Sequence, residues 1–124
     1  MKVLEAARAS YGLCQLAYPT LLFRLAVGHQ PEPHVRVVIR ILGARHLLQA
    51  AIIGAAPTSR ALHLGGGMVD SLHSASMVAL AVADRRRRRV AALDAMIAGL
   101  FAGMEFARAR PSRPLLPACL RKRR

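Results

Sequence analysis

Charge in this chain is gathered at the ends of four nearly uncharged apolar stretches instead of being spread along it. Arginines run without interruption from Arg85 to Arg89, and the last four residues, Arg121 to Arg124, are all basic. Between such clusters the chain is mainly Ala, Leu, Val, Ile and Gly. A helix on the surface of a globular domain interleaves charged and apolar residues at the helical period. A bilayer selects the opposite layout, because charge is costly in hydrocarbon and favourable at the headgroups. This layout predicts an all-α fold: a small antiparallel transmembrane bundle of four helices. Three spans plus a surface helix is the alternative.

Composition bears on the partner. Hydrophobic residues make up 54% of 124 residues, yet 19 Lys and Arg face only 6 Asp and Glu, for a net charge of +13. A chain of this length is one domain. Its basic excess suits anionic lipid headgroups, at about 1 kcal/mol per near-surface charge, or the phosphates of nucleic acid. The preference for Arg over Lys, with abundant Ala, matches GC-rich bacterial coding and suggests a bacterial cell membrane.

The four segments are expected at about 9–28, 35–56, 61–83 and 90–107, within a transmembrane helical domain spanning 1–108. Pro19 should kink the first, since proline removes a backbone donor. His29 to His34, with Pro31 and Pro33, breaks the chain. At about 1.5 Å per residue the second segment reaches across a core of roughly 30 Å. Pro57 to Arg60 forms a turn with a helix-start signal. Residues 109–124 read as a disordered basic tail. Glu5 and Arg8 interrupt the start of the chain and Arg24 interrupts the apolar run, so the first segment reads as an uncleaved helix and not a signal peptide. With four spans, the side carrying both termini has the greater Lys and Arg count, so both termini are expected in the cytoplasm.

Small residues recur every four positions along the fourth segment at Ala91, Ala95, Gly99, Gly103 and Ala107. Such a stripe lets helix backbones approach closely in lipid. The ionisable residues within segments need partners. Folding segments two and three about residues 58 and 59 sets Arg45 level with position 72, beside Asp70 and His73. Arg45, His46, Gln49, Asp70, His73 and Ser74 are therefore expected to form a buried polar cluster. Arg24, Arg40 and Asp94 form a second charge layer by the same arithmetic. Two readings of these residues stay open: structural pairing, and a proton relay or polar pocket centred on Arg45, Asp70 and His73, the histidine having a pKa near neutrality.

No catalytic residues are assigned. Asp70 and His73 lie near Ser71, Ser74 and Ser76, but no nucleophile elbow or triad order accompanies them. The five histidines lack metal-ligand spacing, so neither metal nor cofactor is expected. Cys14 reads as a small core residue and Cys119 has no evident partner. Nucleic acid is disfavoured as a partner by the lack of any motif and the scarcity of aromatic residues.

In the stretch from Arg40 through Arg45 and His46 to Gln49, followed by Asp70-Ser-Leu-His73, the chain resembles small uncharacterised multi-span membrane proteins of actinobacteria. The likeness is one of layout over about 35–107 and implies no reaction. The leading expectation is a non-enzymatic packing or accessory subunit of a membrane assembly, with lipid, other copies or a larger complex as partners. The alternatives are a proton-linked transporter or channel-like oligomer, and a peripheral basic protein binding anionic lipid or nucleic acid.

Overall fold

A computed structural model describes residues 2–111. It contains five helices: α1 (Lys2–Ala17), α2 (Pro19–Val27), α3 (Pro33–Ala55), α4 (Arg60–Ala83) and α5 (Arg88–Ala109). The expected first segment is thus two helices, and the four-helix count is corrected to five. Pro19 does more than kink the chain. Proline has no N–H to donate and pushes the preceding residue out of the helical region; Tyr18 accordingly sits at φ −128° and ψ 49°. Pro19 then opens α2 at its first position, where its fixed φ suits a helix start.

Local signals explain the other ends. Gly28 closes α2 in the left-handed region, at φ +87°, returning its N–H to the Arg24 carbonyl. Ser59 caps α4 by accepting from the Leu62 N–H. The Asp84 carboxylate accepts from the N–H groups of Arg86 and Arg87, so the arginine run makes the turn before α5.

The helices form two antiparallel pairs. In the first, α1 crosses α3 where Gly12 meets Gly43. In the second, α4 runs along α5, from an Arg60 hydrogen bond to the Ala109 carbonyl at one end to a Ser74 bond to the Ala95 carbonyl further along. The core between the pairs is unusual. Most of its apolar members are alanines, including Ala91, Ala95, Ala98 and Ala102. Its largest fully enclosed side chains are Arg8, His46, Glu105 and Asp70.

These features overturn the transmembrane bundle. Among the described helices only α3 and α5 are long and apolar enough to cross a membrane, a test that the core helix of a globular protein also passes. Helix α4, which carries Gly65–Gly67, His63, Asp70 and His73, does not qualify. Neither the four-span nor the three-span topology stands on two such helices. The multi-pass placement in a bacterial cell membrane, with cytoplasmic termini, falls with them. So do the membrane-assembly subunit and the proton-linked transporter, whose polar residues instead close on one another inside the bundle. Nothing in the described structure supports a lipid bilayer or nucleic acid as partner, which also removes the peripheral basic protein. The expected basic tail lies outside the described residues from position 112 onward, as does Cys119. Cys14 is exposed and not a core residue.

Candidate functional site: an ionic core between two helix pairs

Leu4, Arg8, Gly12 and Gln15 share one face of α1 by their spacing of four, four and three, and all are buried. That face carries Arg8 into the centre of the bundle. Arg8 Nη1 donates to Asp70 Oδ2 at 2.7 Å, and Nη2 donates to Glu105 Oε1 at 3.0 Å. Its guanidinium carbon lies 4.5 Å from the centre of the Phe101 ring, a cation–π contact. The second Asp70 oxygen accepts from Arg45, which also donates to Gln49 through Nε. The second Glu105 oxygen meets His63 Nδ1 at 2.5 Å.

The protonation of His63 follows from its neighbours. Nε2 lies 2.9 Å from the Pro57 carbonyl, which can only accept, so Nε2 carries a hydrogen. Nδ1 faces a carboxylate oxygen, which also accepts. The ring is therefore the imidazolium, charge-paired with Glu105. Burial on its own would lower the His63 pKa; the hydrogen bonds to Glu105 and Pro57 outweigh it and hold the pKa above the ordinary value. Beside this pair, Arg108 binds Glu5 at 2.6 Å and ties the end of α5 to the start of α1.

A second polar centre lies along the same interface. Asp94 accepts from the Tyr11 hydroxyl at 3.2 Å and from His73 Nε2 at 2.6 Å. Burial, reinforced by the Asp94 charge, pushes the Tyr11 phenol above its ordinary pKa, so it remains a donor. The Tyr11 ring meets His46 edge-on, with centroids 5.3 Å apart, and His46 in turn lies against Phe101. Burial, then the charges of Arg45 and Arg8, lower the His46 pKa to about 4 and keep the ring neutral at pH 7.

Of the sequence-selected polar cluster, the structure joins Arg45, Gln49 and Asp70. His46 instead packs among aromatic rings, His73 turns to Asp94 on α5, and Ser74 donates to the Ala95 carbonyl. The second layer is not assembled: Asp94 belongs to Tyr11 and His73, whereas Arg24 and Arg40 border a cavity between α2 and α3. In the small-residue stripe Ala91 and Ala95 are buried, but Gly99, Gly103 and Ala107 are exposed. A strict four-residue repeat advances about 40° per step beyond a full turn. The face that α5 buries runs through Ala91, Ala95, Ala98, Ala102, Glu105 and Ala109 in alternating steps of four and three, with Phe101 buried beside it.

Three members of the network were outside the sequence-selected set: Arg8, His63 and Glu105. Arg8 is flagged only by its spacing from Leu4 and Gln15, and Glu105 by its place in the alternating series of α5. Tyr11 carries no comparable signal.

What the geometry displays here is charge pairing. The Ser71 and Ser76 hydroxyls donate to carbonyls of their own helix, at Gly67 and Leu72. No group of three or more His, Cys, Asp or Glu among the described residues is arranged to hold a metal ion.

No family model, curated protein or solved structure matches the chain. The resemblance to actinobacterial multi-span proteins is accordingly corrected. Its carrying residues, Arg45, Asp70 and His73, belong to an ionic network closed within a helical bundle.

Proposed function

We propose that the protein is a non-catalytic helical docking module that binds other polypeptides through methionine-bearing outer faces of α4 and α5. The observation that carries this reading is the exposure of Met68, Met96 and Met104 within apolar stripes. Leu64, Met68 and Leu72 recur every four residues on α4; Met96, Leu100 and Met104 do so on α5; all six are exposed. Ordinary monomers do not expose large contiguous apolar patches, and those that occur mark interaction surfaces. Methionine suits such a surface because its unbranched, polarisable thioether adapts to partners of different shape. The ionic core complements this role. It specifies which helix lies beside which, so that the outer stripes are presented on a fixed frame.

Site-specific photo-cross-linking tests the reading. A photoreactive residue at position 68, 96 or 104 should form cross-links to another polypeptide, a second copy included. The same residue at position 86, in the exposed arginine turn, should form few. Equal yields at all four positions would sink the proposal.

A further inference from the structure

An open cleft of about 600 Å³ lies between α2 and α3, a volume within the range of small-molecule sites. Arg24 reaches it from α2, and Arg36 and Arg40 from α3. Arg36 and Arg40 are four residues apart and so share a helix face, an arrangement that is unfavourable for two like charges. None of the three arginines forms an ion pair among the described residues, in contrast to Arg8, Arg45, Arg87 and Arg108. Among the described residues no acidic side chain lines the cavity. The start of α2 opens onto the same space. No side chain caps it, and Thr20 and Leu21, whose first-turn N–H groups have no acceptor within the helix, are among the residues lining the cavity.

We propose that this cavity binds a small phosphate ester, with Arg24, Arg36 and Arg40 holding the phosphate and the start of α2 supplying further donors. Three guanidiniums and two N–H groups offer more donors than the two oxygens of a carboxylate can use. They match the three terminal oxygens and double charge of a phosphate monoester, which planar guanidiniums bind in bidentate fashion. A helix N-terminus adds favourable partial charge at the same place. The volume exceeds what a phosphate fills, and Val37 supplies an apolar wall for the organic portion. This site is separate from the methionine stripes and does not depend on them.

Isothermal titration of the full chain with inorganic phosphate, pyrophosphate and glycerol phosphate, at fixed ionic strength, tests the proposal. Saturable binding at one site is expected. Arg24→Gln, Arg36→Gln and Arg40→Gln should each weaken it by about tenfold or more, the scale of one lost charge-assisted contact. Arg86→Gln, which alters a loop arginine outside the cavity, should leave it unchanged. Circular dichroism of each variant establishes that the helices persist; if all three cavity variants unfold, Arg→Lys variants, which keep the charge but lose the bidentate fork, replace them, and unchanged affinity in folded Arg→Lys proteins overturns the site. Absence of saturable binding to all three probes overturns it as well, as does an equal effect of Arg86→Gln. Binding to phosphatidylglycerol vesicles without binding to the free phosphates also overturns it, since that would assign the charge to a lipid surface.

Discussion

Arg8 and Asp70 lie 62 residues apart in the chain and form a 2.7 Å ion pair with both side chains enclosed, joining α1 to α4 across the two helix pairs. Because Arg8 also holds Glu105, one cation serves two buried carboxylates from different helices. Breaking a buried pair by removing one partner costs about 3–5 kcal/mol, since the remaining charge is left uncompensated. Arg8→Leu should therefore lower the unfolding free energy by about 3 kcal/mol or more in urea. Arg45→Gln should cost about 1 kcal/mol, because Arg45 is partly exposed and Asp70 keeps Arg8. Equal losses for the two variants would show that Arg8 is not the hub.

The Gly12–Gly43 crossing makes an opposite pair of predictions for glycine. A Cβ at Gly12 would lie 2.7 Å from the Gly43 carbonyl oxygen, and one at Gly43 would lie 2.6 Å from that of Gly12. The obstruction is backbone, which no rotamer change relieves. Gly12→Ala and Gly43→Ala should each destabilise by about 1–3 kcal/mol, the usual cost of overpacking. A Cβ at Gly103 meets nothing within 4 Å. Gly103→Ala should stabilise α5 by about 1 kcal/mol through helix propensity. Thermal unfolding of the three variants distinguishes the two situations by sign.

Charge layout and breakers made the helical class and the turns at Pro31–Pro33 and Pro57–Arg60 legible in the sequence. What they could not convey was which side of each helix faces inward. Exposed Leu72 and Leu100 look like core residues by type, whereas Asp70 and Glu105 occupy the core. Hydropathy alone assigns those four residues the wrong way round. Level-matching across a hairpin could set Arg45 near Asp70, because both lie on consecutive helices. It could not find Arg8, whose partners are 62 and 97 residues away.

The Tyr11–Asp94 contact should be worth less than the Arg8 hub. Tyr11→Phe removes a 3.2 Å hydrogen bond but keeps the ring against His46 and Phe101. A loss of about 1 kcal/mol is expected. His73→Gln in the Tyr11→Phe background should cost less than His73→Gln alone if the two donors stabilise Asp94 jointly. Additive losses in urea unfolding would show that they act independently.

Two buried histidines should make stability fall on both sides of neutral pH. His46 has its pKa lowered from 6.5 to about 4 in the folded protein, so below pH 6.5 the unfolded chain binds a proton that the folded chain refuses. Its contribution is present above pH 6.5 and lost as pH falls through 4, by about 3 kcal/mol in all. His63 has the opposite sign. Its pKa is raised by Glu105, so its contribution is fully present below pH 6.5 and lost as pH rises through the folded value. Urea midpoints measured across this range should therefore trace a dome. His46→Phe, which keeps an aromatic ring beside Tyr11, should flatten the acid side alone; His63→Gln should flatten the alkaline side alone. An acid limb as steep in His46→Phe as in the unaltered protein would overturn the assignment of that limb to His46.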